Sequence, residues 1–138
     1  MKSNDGTRTG GEILIDQLVA QGVKEAFCVP GESYLAALDA FYDRKIELIV
    51  CRQEGGAACM AEAVGKTTGR PGICFVTRGP GATNASAGIH IAKQDSTPLI
   101  VFVGQVGGAF VEREAFQEID YRRMYGSIAK WAAQIDRA

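Results

Sequence analysis

Four short runs of apolar, β-prone residues constrain this chain more than any other feature, because helical patterns separate them. The runs lie at about 25 to 29, 46 to 51, 72 to 77 and 99 to 103, with helical stretches at about 33 to 44, 54 to 68 and 81 to 93. Strands that alternate with helices of this length pair in parallel. The last run, Leu99-Ile100-Val101-Phe102-Val103, is unbroken rather than alternating, the pattern of a strand covered on both faces. The expected fold is therefore α/β, a three-layer parallel sheet with helices on both faces. A first helix is expected after Thr9-Gly10-Gly11-Glu12, a capping-box pattern ahead of the periodic Ile13, Leu14, Leu18 and Val19, and Gly22 ends it.

Two strand-to-helix junctions carry the candidate chemistry. In open parallel sheets, ligands gather outside the carboxyl ends of the strands. Arg52-Gln53-Glu54-Gly55-Gly56-Ala57 sets one carboxylate at such an end. The glycines after it leave bare backbone against which a flat ligand can lie. Arg52, two residues earlier on an extended strand, is expected on the same face as Glu54. Burial would raise the Glu54 pKa and the helix dipole would lower it. The second junction, Thr77-Arg78-Gly79-Pro80-Gly81-Ala82-Thr83-Asn84, repeats the arrangement. Pro80 suits a first helical turn, and Thr77 and Asn84 offer hydrogen bonds.

These blocks, together with Val29-Pro30-Gly31-Glu32-Ser33, Asp95-Ser96-Thr97-Pro98-Leu99 and Ala115-Phe116-Gln117-Glu118, closely resemble the thiamine diphosphate enzymes of the acetohydroxyacid (acetolactate) synthase and pyruvate oxidase group. They follow that family's order and spacing from about residue 8 to 125. The resemblance is to the N-terminal, pyrimidine-binding domain. It implies that Glu54 contacts the cofactor aminopyrimidine and activates it, and that Pro30, Gly31, Thr77, Pro80, Gly81 and Asn84 line the pyrimidine site. Phe116 and Gln117 match a pair beside the substrate, so Glu54 and Gln117 are the expected catalytic residues. The implied activity is decarboxylation and carboligation of 2-oxo acids, as in acetolactate synthases, with a related decarboxylase or oxidase as the alternative.

The resemblance also implies what lies elsewhere. Family members hold the diphosphate and Mg2+ through a Gly-Asp-Gly motif in a C-terminal domain, and no Gly-Asp-Gly occurs here. Residues 1–138 are expected to form one domain with its core at about 9–125. It would be the N-terminal fragment of a three-domain enzyme, with the diphosphate-binding domain supplied in cis or by a second subunit, and with FAD possible in the whole protein. A homodimer or tetramer through this domain is implied, and the small-residue helix after Glu54 is the expected interface. Two positions depart from the synthase pattern, Glu32 in Pro-Gly-Gly and Arg78 in Ser-Gly-Pro-Gly. Both charged side chains are expected to face water.

Composition excludes several other classes. A formal charge of -1 offers no basic footprint for nucleic acid, no apolar run approaches the length of a membrane span, and the polar stretch from Met1 to Thr9 lacks an apolar signal core. A cytoplasmic setting is expected, with Cys28, Cys51, Cys59 and Cys74 as reduced core residues. His90 lacks clustered partners and is expected to be a plain helix residue, so no metal site is assigned. A dinucleotide fingerprint fails, because Asn84 stands where the third glycine belongs and the next strand ends in Gly104-Gln105 rather than an acid. A binding module without chemistry remains the rival from another class.

Overall fold

The computed structural model describes residues 6–137, so part of the polar Met1 to Thr9 stretch lies outside the described residues. The elements run α1 (Gly10–Ala20), β1 (Glu25–Cys28), α2 (Leu35–Tyr42), β2 (Glu47–Val50), α3 (Glu54–Thr68), β3 (Gly72–Val76), α4 (Gly79–Asp95), β4 (Leu99–Val103) and α5 (Tyr121–Tyr125), with 3-10 turns at Glu32–Tyr34 and Gly108–Phe110. The expected capping box starts α1: Thr9 Oγ1 accepts from the Glu12 N–H at 3.1 Å, and Glu12 Oε2 accepts from the Thr9 N–H at 2.7 Å. Gly22 follows the helix with φ +78°, a value that glycine adopts without steric cost.

All four strands are parallel, in the order β2-β1-β3-β4. The chain therefore steps outward from β1 to β2, then returns past β1 to β3. Right-handed crossovers of opposite direction put their helices on opposite faces, and two cores result. One gathers Ile15 and Leu18 of α1 and Ala37, Ala40 and Phe41 of α2 over Phe75; the other gathers Ala57, Ala58 and Ala61 of α3 and Ala82, Ala85 and Ile89 of α4 over Cys74 and Val76. Phe75 anchors the first, with ring centroids 5.3 Å from Phe41 (edge-on) and 4.8 Å from Phe102 (stacked). Burying a side chain of this size contributes about 1.5–3 kcal/mol.

The strand buried on both faces is β3, all five of whose residues are buried, and not β4 as its unbroken apolar run suggested. β4 is an edge strand. Leu99, Val101 and Val103 pack against the α3–α4 layer, but on the opposite face only Phe102 joins the core, and Ile100 is 42% exposed. The reason is topological, because β4 is the outermost strand beyond β3, and Phe102 is its one residue in the core that α1 and α2 form. No helix among the described residues is long and apolar enough to cross a membrane.

Small residues let α3 and α4 meet backbone to backbone. A Cβ added at Gly88 would stand 2.6 Å from the Ala58 Cβ, and against the turn that follows α4 one added at Gly65 would stand 2.2 Å from the Pro98 carbonyl oxygen. Much of the small-residue stripe expected to serve a subunit interface is thus used inside the chain. Gly56, Cys59, Met60 and Ala63 face outward, so Cys59 is not the core residue it was expected to be. α3 ends at Gly69 in the left-handed conformation, and buried Glu62 ties it to the turn between α4 and β4 by accepting from Thr97 Oγ1 at 2.9 Å.

Candidate functional site

The order β2-β1-β3-β4 reverses between β1 and β3, and the crevice at such a switch point is where open α/β sheets bind ligands. The segments leaving these strands are Val29-Pro30-Gly31 and Thr77-Arg78-Gly79. Glu54 arrives at the amino end of α3, held there because the Gln53 side chain caps the helix by accepting from the Gly56 N–H at 2.9 Å. Although Glu54 is 9% exposed, no ion pair holds it among the described residues. Its Oε2 accepts from Asn84 Nδ2 at 2.9 Å, whereas Oε1 has no hydrogen bond among the described residues and lies 3.3 Å from where a Gly81 Cβ would be. A buried carboxylate with one oriented and one open oxygen can accept a hydrogen bond from a ligand or take a proton from it. Arg52 is exposed and does not share that face, because β2 ends at Val50 and Glu54 already belongs to α3.

Glycine at 31 and at 81 is required by close approach. A Cβ at Gly31 would stand 2.5 Å from Thr77 Cβ, and one at Gly81 would stand 2.9 Å from Thr77 Cγ2. Thr77 is fixed in turn by a 2.9 Å hydrogen bond between its Oγ1 and Ser33 Oγ. Pro30 and Pro80 lie at the exposed rim. The structure thus brings Gly31, Glu54, Thr77, Gly81 and Asn84 together, with Ser33 as a further member. Beneath the cleft, burial pushes the Cys74 thiol up to about 12 and the Cys28 thiol up to about 11, while the Tyr34 phenol, also raised by burial, donates to the Val29 carbonyl. These groups are neutral near pH 7, so none is a ready nucleophile.

Phe116 and Gln117 reach the site through their main chain. The Gly79 N–H donates to the Gln117 carbonyl at 2.8 Å, and Arg78 Nη1 donates to the Phe116 carbonyl at 3.1 Å. Contrary to expectation, Arg78 does not face water. Its side chain is 13% exposed, its guanidinium lies 5.8 Å from the Phe116 ring centroid, and its Nη2 meets Glu32 Oε1 at 3.3 Å. Glu32 does face water, at 69% exposed. A cavity of about 330 Å³ under this loop, lined in part by Val111, Glu118 and Arg122, does not include Glu54.

Comparison with known proteins decides the family. The family described as "Thiamine pyrophosphate enzyme, N-terminal TPP binding domain" matches residues 8–124. The chain belongs to this family. Similar proteins include the mitochondrial acetolactate synthase catalytic subunit of Aspergillus candidus, 40% identical over 129 residues that are 93% of this chain and 19% of the relative. The acetolactate synthase of Bacillus subtilis (strain 168) is 38% identical over 91% of this chain and 22% of its own length. The acetolactate synthase isozyme 2 large subunit of Escherichia coli (strain K12) is 41% identical over 80% of this chain and 20% of its own. This TPP-binding domain spans about a fifth of the length of these curated relatives.

The residues of the TPP-binding domain fit the pyrimidine end of the cofactor. An aminopyrimidine is flat and edged with nitrogen, and the cleft offers an open carboxylate oxygen beside a glycine that carries no side chain. Among the described residues no cluster of His, Cys, Asp and Glu is suited to a metal ion. His90 is an exposed residue of α4 that shares a 3.1 Å contact with Gln94. Sequence reasoning missed α5, although Asp120 caps it by accepting from the Arg123 N–H at 3.1 Å, an acid-before-helix signal that was there to read. The helix matters because buried Tyr125 donates to the Ala82 carbonyl at 2.6 Å and braces the first turns of α4.

Proposed function

We propose that this chain is the pyrimidine-binding half of a thiamine diphosphate-dependent, acetolactate synthase-like enzyme that decarboxylates one 2-oxo acid and ligates the remaining fragment to a second. The observation that carries the reading is the Glu54 carboxylate, buried and free of any ion pair among the described residues, with Oε2 held by Asn84 and Oε1 open toward Gly81. When bound, thiamine diphosphate supplies the thiazolium carbon at which the 2-oxo acid loses carbon dioxide. Glu54 holds a proton or accepts a hydrogen bond at Oε1, and Asn84 orients it. Gly31 and Gly81 keep the backbone close, Thr77 and Ser33 fix the floor, and Pro30 and Pro80 form the rim. Phe116 and Gln117 serve the acceptor side, with Gln117 as second catalytic residue.

A C-terminal domain, in cis or in a second subunit, is to provide the diphosphate and Mg2+ contacts, with FAD as an optional further cofactor of the whole enzyme. The outward stripe of Gly56, Cys59, Met60 and Ala63 supports a homodimer or tetramer through α3. Four free thiols suit a reducing compartment, in keeping with a cytoplasmic enzyme. The test mixes the chain with thiamine diphosphate and Mg2+, alone and with a diphosphate-binding domain, and measures carbon dioxide release from pyruvate. Activity in the mixture alone is expected. Silence in both, with both proteins folded, leaves a binding module without chemistry.

A further inference from the structure

We propose that Arg78, braced by Glu32, is a positioning residue that fixes the Phe116–Gln117 segment on the first turn of α4 and so sets the acceptor side of the site, a role that rests on the functional reading above. Two consecutive donors, the Arg78 side chain and the Gly79 N–H, take two consecutive carbonyls, those of Phe116 and Gln117. The fit is close, since a Cβ at Gly79 would stand 2.8 Å from the Gln117 oxygen. Gln117 has φ +63°, as Glu112 and Glu114 of the same loop have +63° and +51°, a left-handed backbone that a non-glycine residue keeps only when its surroundings hold it.

Few side-chain contacts hold this segment. Phe110 is 61% and Phe116 69% exposed, and the Glu118 carboxylate ties it internally by accepting from the Glu112 and Ala115 N–H groups. At its end Ile119 lies against Gly79, where an added Cβ would stand 3.1 Å from Ile119 Cδ1, and the Ile119 carbonyl accepts from Gln105 Nε2 at 3.5 Å. The hydrogen bonds that join Phe116 and Gln117 to the start of α4 come from Arg78 and Gly79. Arg78 is well suited to the task, because its planar fork serves two acceptors at once while its face stacks on an aromatic ring. Its buried Nε–H has no acceptor among the described residues, so the two Nη contacts and the Phe116 ring are what orient it. Glu32 brings the 3-10 turn at Glu32–Tyr34 into the same contact, which joins the loops after β1, β3 and β4 at one point.

The test uses Arg78→Ser, Arg78→Lys and Glu32→Gln in the complete enzyme, with two readouts. Amide hydrogen exchange of the protein without substrate reports the clamp. Arg78→Ser is expected to speed exchange at Gly79 and across residues 112 to 119 by about tenfold or more, with Arg78→Lys and Glu32→Gln intermediate. Kinetics reports the positioning role: acceptor kcat/KM should fall about tenfold or more through misplacement, while cofactor carbon-proton exchange, governed at Glu54, stays within about twofold. Unchanged amide exchange in all three variants overturns the clamp. A loosened loop with donor and acceptor steps falling together overturns the positioning role in favour of general support. A complete enzyme without thiamine diphosphate-dependent activity defeats the functional reading and the positioning role together, and amide exchange then judges the clamp by itself.

Discussion

Replacing Gly88 by alanine separates helix propensity from helix packing in a single methyl group. Alanine in a helix interior is worth about 1 kcal/mol over glycine, so an unopposed substitution would stabilise the chain. Here the new Cβ would stand 2.6 Å from Ala58 Cβ, 2.9 Å from the Ala58 carbonyl carbon and 3.0 Å from the Cys59 nitrogen, against 3.4 Å for an ordinary contact. The shortfall is about 0.8 Å at the Ala58 Cβ and about 0.4–0.5 Å at the two backbone atoms, none of which can rotate away, so α3 and α4 must part. Overpacking of this kind costs about 1–3 kcal/mol, and its backbone character points to the upper half of that range, for a net loss of roughly 1–2 kcal/mol after the propensity gain. Urea denaturation followed by circular dichroism measures it. The control is Gly56→Ala, exposed and with nothing within 4 Å of its Cβ, which should gain a few tenths to about 1 kcal/mol. The functional cost follows from the same geometry. Asn84 and Glu54 sit one turn before Gly88 and Ala58, so parting the helices stretches their 2.9 Å hydrogen bond toward the length at which it fails. Gly88→Ala as stable as Gly56→Ala would refute the backbone-to-backbone account of this helix pair.

Asn84→Ala removes the donor from a buried carboxylate oxygen and should destabilise by about 1–3 kcal/mol in urea melts. Asn84→Asp should do so in a pH-dependent way, because two facing carboxylates cannot both ionise cheaply; a flat difference between pH 4 and 8 would count against the contact. On the alkaline side, burial raises Cys28 to about 11 and Cys74 to about 12 from an ordinary value of 9.0. A raised folded-state pKa contributes stability that is whole below the unfolded value and drains away as pH climbs through the folded one. Stability should therefore hold to about pH 9 and decline above it, with the decline reduced in a Cys28→Ala, Cys74→Ala double variant. A thiol reagent at pH 8 should find exposed Cys59 first; equal labelling of buried Cys74 would contradict the packing of β3.

Local signals were legible in the sequence where one segment determines its own structure. The Thr9–Glu12 capping box needs only four consecutive residues, and α3 begins at Glu54 and ends at Thr68, as its small-residue run between an apolar strand and Gly69 requires. What could not be read depends on where distant segments land. An unbroken apolar run looks the same at a sheet edge as at its centre, so β4 was expected to be covered on both faces until the strand order placed it at the rim. Both Arg78 and Glu32 were expected in water because charged side chains usually are; Glu32 is, at 69% exposed, and Arg78 is not. Their pairing spans 46 residues and the Phe116 contact spans 38, distances over which no local pattern speaks. Cys59 was grouped with the core thiols because an alanine-rich helix gives little indication of which side faces out. The meeting of Glu54 with Asn84 likewise depends on the α3–α4 contact, 30 residues apart in sequence.

The central claim is that Glu54 acts on the cofactor through its open carboxylate oxygen. The most direct measurement is the rate of carbon-proton exchange on bound thiamine diphosphate in the complete enzyme carrying Glu54→Gln, with circular dichroism confirming the fold. The account predicts a rate lower by about 10²–10⁴-fold, the size of a positioned acid–base contact, with the fold intact. Exchange at the wild-type rate, with cofactor demonstrably bound, would contradict it.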